Sequence, residues 1–82
     1  MQKKITSIEE LKAESKDGAE FFILLRPYLR SSKYIWWDEQ ARHFEVTNYI
    51  DGSEQALSES EMMDKSLTNI GEAITKGAFF KD

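Results

Sequence analysis

The chain reads as a single small α+β domain: a four-stranded antiparallel meander, preceded by a short N-terminal helix and followed by two short C-terminal helices. Three observations predict this. Residues 33–57, KYIWWDEQARHFEVTNYIDGSEQAL, carry two β-hairpin patterns in succession. The apolar run over 21–25 is continuous, not alternating, and suits a strand covered on both faces. Helix-capping signals then bracket this β-rich centre, Thr6 and Ser7 before it and Ser58 and Asn69 after it.

With 82 residues there is room for one core and no second domain. A content of 40% hydrophobic and 12% aromatic residues favours a folded chain over a disordered one, despite 32% charged residues. Cysteine is absent, which excludes disulfides and thiolate metal sites and leaves the core to hold the fold. The longest apolar run is too short to span a bilayer, and Met1-Gln2-Lys3-Lys4 leads into polar residues, not into the apolar stretch of an export signal. A cytoplasmic, membrane-free protein is the expectation.

Taken in order, Thr6-Ser7-Ile8-Glu9-Glu10 holds two overlapping capping boxes, Thr6 with Glu9 and Ser7 with Glu10, opening a helix to about Glu14. Gly18 stops it. After the strand over 21–25, Arg26-Pro27-Tyr28-Leu29-Arg30-Ser31-Ser32 reads as a connector, because Pro27 cannot donate to a sheet ladder. The second hairpin turns at Asp51-Gly52, where a two-residue type I′ loop pairs Val46 with Leu57 and Tyr49 with Glu54. The first turns within 38–41 and sets Trp37 opposite Arg42 and Trp36 opposite His43. Alternation then sorts Ile35, Trp37, Phe44, Val46, Ile50 and Leu57 onto a core face, and Tyr34, Trp36, His43, Glu45, Thr47 and Tyr49 onto the other. Ser58 with Glu61 opens a short helix through Lys65, and Asn69 with Glu72 opens one ending at Gly77, in which Gly71 marks a close backbone approach. Ala78-Phe79-Phe80 closes the chain as an apolar clip or short strand, and Lys81 and Asp82 should fray.

The segments Leu29-Arg30-Ser31-Ser32-Lys33, Asn48-Tyr49-Ile50-Asp51-Gly52-Ser53-Glu54-Gln55 and Asn69-Ile70-Gly71-Glu72-Ala73-Ile74, followed by Lys76-Gly77-Ala78, resemble a family of small uncharacterised bacterial proteins. That resemblance implies a bacterial source. It brings no activity, cofactor or catalytic residue with it.

Chemistry-bearing patterns are sparse. His43 is the only histidine, so multi-histidine metal sites are excluded, and no serine sits in a nucleophile turn. No cofactor, metal or enzymatic activity is expected. The feature a plain core does not explain is Trp36-Trp37, since adjacent strand residues point to opposite faces and one indole must lie outside the core. Tyr34, Trp36, His43, Arg42 and Tyr49 therefore form a candidate interaction surface for a protein partner or a second copy. The alternative is a single-stranded nucleic-acid platform, with the same aromatics stacking bases and Arg26, Arg30, Lys33 and Arg42 holding the backbone. Arg26, Arg30 and Lys33 are also candidate anion contacts, weighed against an ordinary solvated loop. The net charge of −4 places the nucleic-acid reading second.

Overall fold

The computed structural model describes residues 2–26 and 29–82, without the side chains of Leu25 and Arg26. In chain order the elements are β1 (Lys3–Lys4), α1 (Ile8–Glu14), β2 (Ala19–Arg26), β3 (Leu29–Asp38), β4 (His43–Asn48), β5 (Glu54–Leu57), α2 (Glu59–Met62), α3 (Ile70–Lys76) and β6 (Phe79–Lys81). The class is α+β with an antiparallel sheet and three helices. The sheet has six strands instead of four, in the order β1-β6-β2-β3-β4-β5. The expected meander is its β2–β5 portion. The extra edge arises because the C-terminal clip pairs as a strand, Phe22 opposite Phe80 and Ile23 opposite Phe79, and then recruits Lys3 and Lys4.

That pairing corrects two expectations. Lys81 and Asp82 do not fray: Lys81 lies between Phe21 and Lys3 in the sheet, and the Asp82 amide donates to the Glu20 carbonyl at 3.0 Å. Arg26 and residues 29–32 are not part of a connector either, because β2 runs to Arg26 and β3 starts at Leu29, which is exposed. The expected placement of Pro27 and Tyr28 lies outside the described residues.

Both hairpins are shifted by two residues from the expected register. Trp37 lies opposite Phe44, and Phe44 opposite Leu57, so each loop has four residues, 39–42 and 49–52. The cause is the same at both. Asp38 accepts the Gln40 and Ala41 amides through its carboxylate, each at 3.1 Å, and Asn48 accepts the Ile50 amide at 2.9 Å through its side-chain carbonyl. Their backbone carbonyls take the amides of Arg42 at 2.8 Å and Gly52 at 2.7 Å. Each loop closes on a left-handed residue, Arg42 at φ 57° and Gly52 at φ 71°. Asp51 is not left-handed, so the turn is not type I′. An Asx side chain offering local hydrogen bonds sets the start of each loop, after Asp38 at the end of β3 and after Asn48, two residues before the apolar pattern of β4 ends. Ile50, expected in the core, is consequently 74% exposed in the loop.

A two-residue slip preserves face parity, so the core face survives it. Phe21, Ile23, Ile35, Trp37, Phe44, Val46, Leu57 and Phe79 form one buried cluster with Leu11, Met62, Ile70, Ala73 and Ile74 from the three helices. All three helices therefore cover a single side of the sheet. Ser7, not Thr6, caps α1 by accepting the Glu10 amide at 3.1 Å, while Glu10 reaches past Ser7 to the Thr6 amide at 2.9 Å, so the expected box is formed in one half only. Ser58 and Glu61 form the full reciprocal box, although α2 ends at Met62 and not at Lys65. Asn69 occupies the N-cap position of α3 without a side-chain bond to its backbone, and Thr68 accepts the Ile70 amide instead at 3.3 Å.

Candidate interaction face

The side of the sheet opposite the helices is built by the even-numbered positions of β2, β3 and β5 and the odd ones of β4. In β3, alternation sends Trp37 inward against Phe44, ring centroids 4.6 Å apart, and Trp36 outward. Cross-strand pairing aligns Glu20, Tyr34, Thr47 and Glu54 in one row, and Trp36, Glu45 and Ala56 in the next. Trp36 is 40% exposed and Tyr34 37% exposed.

The turn between α1 and β2 fixes the two rings. Trp36 Nε1 donates to the Lys16 carbonyl at 3.0 Å. The Tyr34 hydroxyl lies only 2.0 Å from where a Cβ on Gly18 would stand, and Gly18 has φ +80°, so the turn accepts no side chain there. A shallow groove of about 490 Å³ runs past Trp36, lined by Lys16, Asp38, Glu39 and Gln40.

Tyr49 reaches this side by a route that the expected register did not contain. It sits in the 49–52 loop, half-exposed, with its hydroxyl donating a hydrogen bond to the Glu20 carboxylate at 3.4 Å. Loss of solvent raises the Tyr49 hydroxyl above its ordinary pKa, and the neighbouring Glu20 charge adds to the effect. His43 Nε2 and Glu45 Oε1 are 2.8 Å apart at the β4 end of the face. Thus Tyr34, Trp36, His43 and Tyr49 are brought together, with Arg42 at the margin in the 39–42 loop.

The candidate anion contacts are not brought together. Lys33 points to the helix-covered side, pairing with Phe21 and Asn48, and its partial burial lowers the ammonium pKa against the opposing pull of Asp51. Arg30 does lie on the open side, but its guanidinium sits 4.1 Å over the Phe22 ring and pairs with Asp82. The Arg26 side chain lies outside the described residues.

Several residues of this face escaped the sequence reading. Glu20 and Phe22 belong to a continuous apolar run that carries no alternation to mark their side. Phe80 stacks on Phe22 with centroids 5.2 Å apart, a contact available only once β6 is in the sheet. Glu54 would have shared a face with Tyr34 in either register, since a two-residue slip leaves parity unchanged. Among the described residues no three His, Cys, Asp or Glu side chains gather as metal ligands. Among the same residues no helix is long and apolar enough to cross a membrane. Fold and face together define a small α+β domain with one helix-covered and one open sheet surface. The chain matches no family model, no curated protein and no solved structure.

Proposed function

We propose that this chain is a non-enzymatic protein-interaction module that binds through the open aromatic face, with Tyr34 and Trp36 as its anchors and His43, Tyr49 and Arg42 at its margin. One observation carries the reading: Tyr34 and Trp36 both remain more than a third exposed while the described helices pack on the opposite side. Trp and Tyr supply large, rigid contact area and dominate interface energetics, and polar neighbours such as Glu45 and Thr47 give such a patch its selectivity. Two of the cations that a nucleic-acid platform needs, Lys33 and Arg30, are turned to the other side or engaged with Asp82, which favours the protein reading.

The test compares the wild-type chain with Trp36→Ala in capture of protein partners, with thermal melting as a folding control. The expected outcome is a folded variant whose partner affinity falls by about thirtyfold or more, the equivalent of about 2 kcal/mol at an anchor. A variant that unfolds, or one that captures partners as well as the parent, would sink the reading. Retention of the wild-type chain on single-stranded RNA, falling steeply with salt, would move the assignment to the nucleic-acid alternative.

A further inference from the structure

We infer that the open face receives an extended basic polypeptide segment, whose Lys or Arg side chains at alternate positions seat on Tyr34 and Trp36. This rests on the protein-interaction reading and adds the chemistry of the partner. The first support is sheet geometry. Glu20 lies directly across from Tyr34, and Glu45 directly across from Trp36. Adjacent strands are about 4.8 Å apart, so each ring has a carboxylate in the neighbouring position. A ring face beside a carboxylate is a seat for an ammonium or guanidinium group, which the ring attracts through its quadrupole and the carboxylate through charge-assisted hydrogen bonds. The carboxylates retain capacity for this: one Glu20 oxygen faces the Tyr49 hydroxyl and one Glu45 oxygen faces His43. In each case the second oxygen has no partner among the described residues.

Spacing is the second support. The two seats are two residues apart along β3, about 6.7 Å, and lie on one side of the strand. Side chains at i and i+2 of an extended segment recur at the same interval and on the same side. One extended segment therefore fills both seats with side chains at i and i+2.

Charge supplies the third. Among the strand residues of β2–β5 whose side chains are described, the open side carries Glu20, Glu45 and Glu54 against Arg30, which is tied to Asp82 at the far end. A two-fold dimer through this face would set the same three carboxylates against themselves. Nucleic acid meets the same repulsion. A cationic segment is the occupant that the field of this face selects.

The experiment uses the full chain and fluorescein-labelled peptides in an anisotropy titration. The probes are an alternating Arg-Ser peptide, a peptide with the same number of arginines at every third position, and an alternating Glu-Ser peptide. The alternating Arg-Ser peptide should bind most tightly and weaken as salt is raised. The paired substitution Glu20→Gln with Glu45→Gln, both at exposed carboxylates and checked by melting, should weaken it about tenfold or more, and Glu72→Gln on α3 should leave it unchanged. The inference is overturned if the every-third or Glu-Ser peptide binds equally well, if the Gln pair has no effect, if polyuridylate binds in preference, or if the chain dimerises through this face in sedimentation. Should any of these occur while capture still depends on Trp36, the partner has another chemistry and only the wider interaction reading stands. Loss of both signals removes both.

Discussion

Tyr34 stands where Gly18 has no side chain, so one backbone position in a turn controls one anchor of the open face. Gly18→Ala would add a Cβ that overlaps the phenol and would force an L-residue to φ +80°. The two effects together should cost about 1 to 3 kcal/mol, and the lowered melting temperature should be accompanied by changed Tyr34 resonances. The opposite sign is expected at Arg42, which holds a left-handed φ of 57° without being a glycine. Arg42→Gly should relieve that cost and stabilise the fold by about 0.5 to 1 kcal/mol, seen as a higher melting temperature. At this scale the sequence is most informative where chemistry forces a choice. Two adjacent tryptophans in a strand must part, and Trp37 with its apolar neighbours marks the inner side. Nothing in the letters of Gln40-Ala41-Arg42-His43 announces a left-handed arginine, because the Asp38 side chain that organises the loop acts through backbone groups.

At the scale of elements, a close approach and a cap make separate predictions. A Cβ on Gly71 would lie 2.6 Å from the Met63 Cα, so α3 packs there against backbone that cannot move aside as a side chain would. Alanine is intrinsically better in a helix by about 1 kcal/mol. Overlap with backbone should outweigh that gain, and Gly71→Ala is expected to be destabilising by about 1 to 3 kcal/mol in chemical denaturation. Ser58→Ala removes one half of a reciprocal capping box and should cost about 1 kcal/mol, with helix α2 losing amide protection. The caps at Ser7 and Ser58 and the approach at Gly71 were legible because they depend on residues close in sequence. Register was not, since Asn48 ends β4 two residues before the apolar pattern does and Asp38 holds a loop that starts one residue beyond it. Face membership survived only because the slip is an even number.

The molecule as a whole is tied together by Glu14 at the end of α1. Its carboxylate lies 2.7 Å from the Lys3 ammonium in β1 and 3.0 Å from that of Lys81 in β6. The hydrogen bond from Lys3, followed by that from Lys81, holds its pKa below the ordinary glutamate value. A lowered folded-state pKa stabilises the fold above the unfolded pKa, and that stabilisation is lost as pH falls through the lowered value. Glu14→Gln should therefore melt lower than the parent at neutral pH, with the two melting curves converging as pH falls below the ordinary glutamate range and the carboxylate protonates in the folded chain. A difference that persists in acid would mean the carboxylate acts through packing and not through charge. This clasp was invisible in the sequence, where Lys3-Lys4 is two residues long and has no β-propensity of its own. It becomes a strand only because β6 offers an edge.

The pairing of Lys3 with Lys81 joins positions nearly a full chain length apart. Closing so wide a loop is entropically the most demanding contact in the sheet, so β1 should dock late, after the β2–β5 meander has formed from local hairpins. A circular permutant tests this: a short linker joins the two ends, and new ends are opened at the exposed Leu67 between α2 and α3, where no strand hairpin is cut. In that rearranged chain β6 and β1 become neighbours in sequence and meet as a hairpin. Refolding should then proceed without the slow step of edge closure, while the arrangement of strands stays the same.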